Sequence, residues 1–535
     1  VQASNGDSGV CLAELIAALS LGTDLGLGQP MEHVLRECVL AQGLGRRLQL
    51  DESERLVAYW VALLAWVGCH ADAYEQARWF GDEITAKADL YAIDAAGLSK
   101  VRFALSHVGA GDSPARRART VLEFLVSGRA AMEAMHGTHC LIAGDLARRL
   151  GLGEAVSEAL QQVFERWDGK GDPGLLSGPE ISLPVRVVQL ADVVEVFHRQ
   201  GGIQAAVAVA RERSGTQFDP SVVECFCDTA DELLAPLSDT TTWDDVISAQ
   251  PGLRGTLANA ELDAALEAIA DFADLKSPYT MGHSRAVADL AAQAGRTCGL
   301  DDDAVRTLRR AGLVHDLGRL GVPNSIWDKR GPLNPAERER VRLHPYLTER
   351  ILCASPALAT LGALAANHHE RLDGSGYPRG IRANMLSPSA RILAAADVYA
   401  AMRELRPHRA ARTAVEAADG LLAEVRAGRL GGEAADAVLA AAGHPMTRRI
   451  ERPAGLTARE VEILRLLARG LLNKEIARRL GITTKTVGNH VEHIYAKTGV
   501  STRAAAALFA TDHGLLTVDG NVANQPSTIS AIPLT

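Results

Sequence analysis

Apolar residues in this chain recur at three- and four-residue spacing, and runs alternating strictly between apolar and polar are few, so the pattern predicts an all-α protein. The clearest stretch is 456–516. Leu456-Thr457-Ala458-Arg459-Glu460 offers a Thr N-cap with a Glu three residues on, a capping box that opens a helix with Val461, Leu464 and Leu467 on one face. Gly470 ends it, Asn473 to Leu480 form the next helix, and Gly481 supplies a turn. Thr483-Thr484 cap a third helix running through Val487, Val491 and Ile494, and a fourth spans 502–510. This is helix-turn-helix spacing.

Further upstream the helical pattern carries chemistry. His283, His315, Asp316, His344, His368, His369 and Asp397 follow one another at separations that fit a helix or a helix plus a turn. Neutral imidazole suits iron, manganese, zinc and similar ions, while a carboxylate bridges two of them and fixes their separation. Two metals so held bind a phosphate, activate a water and stabilise an in-line displacement. A lone His-Asp dipeptide reads as a polar pair facing solvent, but that reading does not account for the whole series.

Three runs give this region a resemblance to the HD-GYP phosphodiesterases, a branch of the HD-domain phosphohydrolases: YTMGHSRAV from Tyr279, HDLGRLGVPNSIW from His315, and HHERLDGSGYPRG from His368, followed by ARILAAADVYAAM from Ala390. The resemblance implies a helical domain hydrolysing cyclic di-GMP or a related cyclic dinucleotide, with the seven residues as metal ligands and Asp316 as the bridge. It also implies that the turn Gly374-Ser375-Gly376-Tyr377-Pro378 borders the substrate phosphates, since glycines let backbone N–H groups approach an anion closely. Arg319 stands where the family usually has a lysine near the scissile phosphate; it keeps the clamping charge but not the ability to transfer a proton. Tyr279 replaces the glutamate of trinuclear members, so two divalent ions, iron or manganese, are expected. Asn324, Thr348 and Ala400 replace a common Asp, Gly and Asp, which bears on substrate preference and turnover. Asp316 and Arg319 are the expected catalytic residues, with Arg319, Gly374, Gly376 and Tyr377 at the substrate.

The chain also repeats itself. Residues near 13–68 align without gaps to residues near 263–318 at an offset of 250, placing His33 on His283. Glu165 to Pro173 falls on Glu370 to Pro378 at an offset of 205, placing His139 on His344 and Asp192 on Asp397, so the first copy carries an insertion of 45 residues between the blocks. Where the second copy has His315-Asp316 and His368-His369, the first has Ala65-Trp66 and Val163-Phe164, a loss of four of the seven ligands. A degenerate, metal-free copy follows, its former metal cavity packed as ordinary core because apolar voids are costly. Its His33, His139 and Asp192 read as structural, and its GKGDP turn as a weak candidate for anion binding.

The run LTAREVEILRLLARGLLNKEIARRLGITTKTVGNHVEHIYAKTGV resembles the LuxR/GerE-type DNA-binding domain. By that resemblance the third helix enters the major groove with Lys485, Thr486, Asn489 and His490 toward DNA, Lys474 and Lys497 lie near phosphates, and the last helix makes a homodimer contact on DNA. Charge agrees: residues 451–518 hold ten Lys+Arg against six Asp+Glu, net +4, which leaves −13 for the rest of a chain whose total is −9.

At 535 residues the chain exceeds one core. Breaker clusters divide it into the degenerate copy at 1–236, a linker at 237–258, the intact copy at 259–445, a linker at 446–455, the helix-turn-helix domain at 456–517 and a disordered tail at 518–535. The eight cysteines lack paired CxxC spacing and read as reduced core thiols. No stretch reaches the roughly 18 apolar residues of a membrane span, so a cytoplasmic protein without membrane contact is expected. Two functions remain open: a phosphodiesterase whose ligand state alters DNA binding, or a transcription factor whose HD-GYP domain senses a nucleotide with little or no turnover.

Overall fold

The computed structural model describes residues 7–94, 97–238, 242–252, 255–445, 454, 456–513 and 515. The chain divides into two compact units, Val1–His444 and Pro445–Thr535. The two copies therefore share one unit. Helices Leu12–Gly26, His33–Arg47 and Glu52–Leu64 recur as Asn259–Asp274, His283–Thr297 and Asp302–Val314. The third helix of each triplet is capped alike, by Asp51 accepting from the Glu54 N–H at 2.9 Å and by Asp301 accepting from the Ala304 N–H at 2.8 Å. Each triplet then closes in a 3₁₀ turn, Val67–His70 or Leu317–Gly321.

The first copy continues through the long helix Pro114–Arg149 and through Leu183–Glu212; the second continues through His344–Leu352 and Pro388–Arg403. The insertion in the first copy forms helices Ala73–Phe80, Glu83–Leu90 and Gly97–His107. With the start of Pro114–Arg149 they make a small satellite core of Trp79, Phe80, Ala86 and Val108.

The copies pack reciprocally, as the halves of an isologous dimer do. Strand Asp7–Cys11, which leads into the first helix of its copy, pairs antiparallel with strand Thr256–Ala258, which leads into the first helix of the other. Leu12–Gly26 lies against the turn Leu317–Gly321 and against His344–Leu352, while Asn259–Asp274 lies against Pro114–Arg149. Gly22 permits the first approach, since a Cβ there would stand 3.0 Å from the Leu320 side chain. One apolar core runs from Val10 to Val438 through both copies.

This continuity corrects the expected linker at 237–258. It holds helix Thr242–Ala249, whose Val246 is fully buried and whose backbone carbonyl accepts from the Tyr59 hydroxyl at 3.2 Å, and it holds the second strand. Charge is also buried between the copies: Glu83 accepts from the Asn324 N–H at 2.8 Å and lies 3.6 Å from the Lys276 ammonium, whose pKa burial pushes down to about 8.

Among the described residues the second unit has four helices, Ala458–Ala468, Asn473–Leu480, Thr484–Thr498 and Arg503–Asp512, around Leu464, Ile476, Val487, Ile494 and Ala510. Thr457, Thr483 and Thr502 cap three of them, and Gly481 ends the second at φ +65°, a conformation that favours glycine. The tail at 518–535 and all of 446–455 except Ala454 lie outside the described residues. Among those described, no single helix is long and apolar enough to cross a membrane.

Lys276→Met leaves Glu83 buried without its counter-charge, so stability should fall by about 3 kcal/mol. Adding Glu83→Gln should restore part of that, as read from the urea midpoint of the full chain; equal midpoints in all three proteins would remove the pair from the interface energetics.

Candidate metal centre and nucleic-acid surface

The seven expected ligands of the second copy converge on one buried point from five helices and turns. His283 begins its helix after Gly282 at φ +78°, and His315 and Asp316 sit between the helix Asp302–Val314 and the 3₁₀ turn. His344 begins the helix His344–Leu352, His368 and His369 follow Ala359–Ala365, and Asp397 projects from Pro388–Arg403. The sharp turn after Asp316 requires Gly318, because a Cβ there would run into the His344 carbonyl. Thr348 locks that turn by accepting from the Gly318 N–H and donating to the His315 carbonyl, both at 2.9 Å.

Asp316 stands between two sets of imidazoles. Its Oδ2 lies 3.7 Å from His283 Nε2 and 3.5 Å from His315 Nε2, and its Oδ1 lies 3.4 Å from His344 Nε2 and 3.6 Å from His368 Nε2. Asp397 completes the first set, 3.4 Å from His283 Nε2, and reaches 3.8 Å from His369 Nδ1 with its other oxygen. Donor atoms of His283, His315 and Asp397, and separately of His344, His368 and His369, fall within 4.8 Å of one another.

Four imidazoles are oriented from behind. His315, His344 and His368 direct Nδ1 at the carbonyls of Gly312, Val341 and Ala365 at 2.6–2.7 Å, and His283 directs Nδ1 at Glu404 Oε1 at 2.8 Å. A proton fixed on Nδ1 leaves the Nε2 lone pair toward the centre, as a metal ligand requires. His315 Nε2 is buried with no hydrogen-bond partner, which is costly unless an ion takes its lone pair. Burial pushes His344 down to about 4 and His368 to about 3, so both are neutral at physiological pH. Burial alone would raise the Asp316 carboxyl, but His315, Arg319, His344 and His368 hold it well below the usual range. Burial would lower His283, but its carboxylate neighbours Asp397, Glu404 and Asp316 raise it to about 10, so a cation at the centre would compete with a proton there. The neutral His344 and His368 beside ionised carboxylates fit divalent metal ions directly.

Arg319 donates from Nη1 to Asp316 Oδ2 at 2.7 Å and stacks over Trp327, 4.1 Å from the ring centroid. Trp327 also meets His344 edge-on at 5.4 Å and lines a cleft of about 450 Å³ with Tyr279, Lys329, Arg406, His408 and Arg409. Tyr279 thus borders the cleft rather than the ligand cluster. Glu404 and Arg406 were not legible as site residues, because no motif marks them and only the fold brings them to the centre; Trp327 closes the quoted run from His315, but nothing in that run assigned it a role.

The glycine turn differs from expectation. The N–H groups of Gly374, Ser375 and Tyr377 are satisfied within the loop, by the Arg371 carbonyl, Asp373 and the His369 carbonyl. A Cβ at Gly376 would run into the backbone of His369, Glu370 and Arg371. These three N–H groups therefore do not face an anion; the turn instead seats the Tyr377 ring on His369, 4.7 Å between centroids.

In the first copy the metal cavity is not packed shut. Trp66 and Phe164 meet edge to face at 5.9 Å, and they line a cavity of about 270 Å³ with His136, Arg166, Asp192 and Arg213. His139 turns its Nε2 to the Ala65 carbonyl at 2.6 Å.

On the second unit Lys474, Lys485 and Asn489 are exposed and His490 half-buried, all except Lys474 on the third helix. Thr486 is drawn into the cap of that helix, its hydroxyl 2.7 Å from that of Thr483. Lys497, expected near phosphates, instead donates to Glu460 at 2.6 Å.

Fold and centre define an HD-domain protein with a helix-turn-helix unit, and comparison with known proteins agrees. The HD domain model matches residues 267–433, and that of bacterial regulatory proteins of the luxR family matches 454–510. The 3'3'-cGAMP-specific phosphodiesterase 3 of Vibrio cholerae is 34% identical over 404 residues, 75% of this chain and 88% of that one. A solved structure of a cyclic GMP-AMP specific phosphodiesterase from V. cholerae covers 81% of this chain and 98% of its own at 31% identity, with a TM-score of 0.56. A cyclic di-GMP phosphodiesterase of Pseudomonas aeruginosa is 39% identical over 140 residues, 26% of this chain and 34% of that one. The chain belongs to the HD-GYP phosphodiesterase family and carries a luxR-type DNA-binding domain.

Glu404→Gln weakens the hold on His283 without touching a ligand. Metal affinity should fall by roughly 10- to 100-fold, measured by competition with a chelator; unchanged affinity would show that His283 needs no support from Glu404.

Proposed function

We propose that the chain hydrolyses a cyclic dinucleotide at the second-copy centre and that this activity is coupled to DNA binding by the C-terminal unit. The observation that carries the reading is the placement of Asp316, one oxygen toward each set of imidazoles. Two divalent ions, iron or manganese, held by His283, His315, Asp316, His344, His368, His369 and Asp397 would supply phosphate polarisation and water activation. Arg319, permanently charged and steered by Trp327, would clamp a phosphate oxygen, and solvent would protonate the leaving alkoxide. Lys329, Arg406 and Arg409 outnumber Asp328 in the lining of the adjoining cleft, which suits an anionic ligand, with Lys329 and Arg406 partly balanced by ion pairs to Glu337 and Glu404. The length of the match to the 3'3'-cGAMP-specific enzyme makes that dinucleotide the first substrate to test, ahead of cyclic di-GMP.

The C-terminal unit would read DNA through Lys485, Asn489 and His490 of its third helix, with Lys474 at a phosphate. Leu508 is 62% exposed on the last helix, which suits a homodimer contact. Such a protein would act in the cytoplasm, beside the DNA. A second reading, a nucleotide-sensing transcription factor with little turnover, draws support from the Arg319–Asp316 ion pair, which occupies the bridging carboxylate with a guanidinium.

Anaerobically purified chain should carry metal and hydrolyse 3'3'-cGAMP, and Asp316→Ala should lose both, with hydrolysis at background. Retained hydrolysis in that variant would remove the centre from the reaction; bound metal with no turnover in the wild type would favour the sensing reading. Lys485→Ala should weaken DNA binding by about 1–3 kcal/mol with metal content unchanged. Unaltered binding across a salt series would exclude the third helix as the contact.

A further inference from the structure

The degenerate copy lost four ligands, yet it contains a buried carboxylate that its partner lacks. Glu37 is fully buried on the helix His33–Arg47, four residues after His33 and so on the same face. At the offset of 250, its counterpart in the second copy is Val287, an ordinary core residue. Neither Glu37 oxygen has a hydrogen-bond partner of good geometry, and the polar hydrogen that approaches the carboxyl is the neutral Trp66 indole N–H, itself without a well-formed bond. A buried ionised carboxylate without a partner is among the most costly groups a core can hold.

The surroundings of Glu37 repeat half of the intact centre. His33 directs Nδ1 at Glu195 Oε2, 2.5 Å away, and Nε2 at Asp192 Oδ1, 3.1 Å away. His283 does the same with Glu404 behind it and Asp397 in front, at 2.8 and 3.4 Å. Tyr91 places its hydroxyl 3.0 Å from Asp192 Oδ1 and 3.5 Å from His33 Nε2. One donor atom from each of His33, Glu37 and Asp192 lies within 4.8 Å of the other two. The guanidiniums of Arg36 and Arg199 address Glu195, at 4.0 and 3.4 Å, and leave Glu37 and Asp192 to be balanced from within. A protonated His33 would give its two N–H groups to Asp192 and Glu195 and leave Glu37 only the neutral Trp66 indole for a hydrogen bond.

We infer that the first copy binds a single divalent cation through His33 Nε2, Glu37 and Asp192, a one-metal site built partly from inherited ligands and partly from a new one. One imidazole and two carboxylates suit a hard-to-borderline ion such as Mn²⁺ or Zn²⁺. Glu195 is the orienting carboxylate behind His33. Asp192 also lines the 270 Å³ cavity, which gives the ion an entry path. The site stands apart from the second-copy ligands and does not depend on turnover there.

The test compares the full-length wild type with Glu37→Gln after loading with Mn²⁺ and desalting, both checked by circular dichroism. Bound manganese should fall by one ion per chain in Glu37→Gln while hydrolysis at the second copy is retained; equal metal content in the two proteins overturns the assignment. If Glu37→Gln does not fold, anomalous scattering from wild-type crystals grown with Mn²⁺ answers the same question. A peak within ligand distance of His33 Nε2 is expected, and its absence there overturns the site.

Discussion

The structure turns on the Asp316 carboxylate, which is held so that each oxygen faces a different set of imidazoles. Four other segments must arrive at that point with the correct tautomer, and the chain secures this mainly with backbone. Three imidazoles are oriented by the carbonyl three residues earlier, so their alignment is a local property of helix ends. The exception, His283, relies on Glu404, 121 residues away. Thr348 and Gly318 then decide whether the His-Asp turn sits close enough to His344 to form the centre at all. A position that departs from the family pattern, Thr348, thus serves the architecture of the centre.

The degenerate copy is half of a reciprocal interface. Its first helix covers the turn that carries Asp316 in the other copy, its Glu83 pins Asn324, and one apolar core serves both. Removing the degenerate copy would therefore expose the back of the second-copy cluster, whatever ligand positions the first copy has lost. With Trp66 and Phe164 in place of Asp316 and His369 it cannot reproduce the cluster of the second copy, but its His33, Asp192 and Glu195 resemble the arrangement of His283, Asp397 and Glu404.

Much of this was legible in sequence. The clustering of the seven His and Asp residues, the gapless repeat, and the caps at Thr457 and Thr483 are local or periodic signals, and the helices of the second unit begin where those caps place them. What was not legible came from long-range packing. Residues 237–258 look polar and broken, yet Val246 is buried because Tyr59 and the neighbouring helices reach it. The glycine turn looks like an anion cradle, but the N–H groups of Gly374, Ser375 and Tyr377 close on neighbouring carbonyls and Asp373. Lys497 looks like a phosphate contact until the fold brings Glu460 to it. Trp66 and Phe164 suggest a filled core, yet the close-packed ring pair forms only one wall of a cavity of about 270 Å³.

The most direct test of the central claim is electron paramagnetic resonance of the manganese-loaded chain, since two ions sharing one carboxylate are magnetically coupled. The wild type should give the spectrum of a coupled pair, and Asp316→Ala should lose it. Isolated-ion signals alone in the wild type would contradict a bridging Asp316.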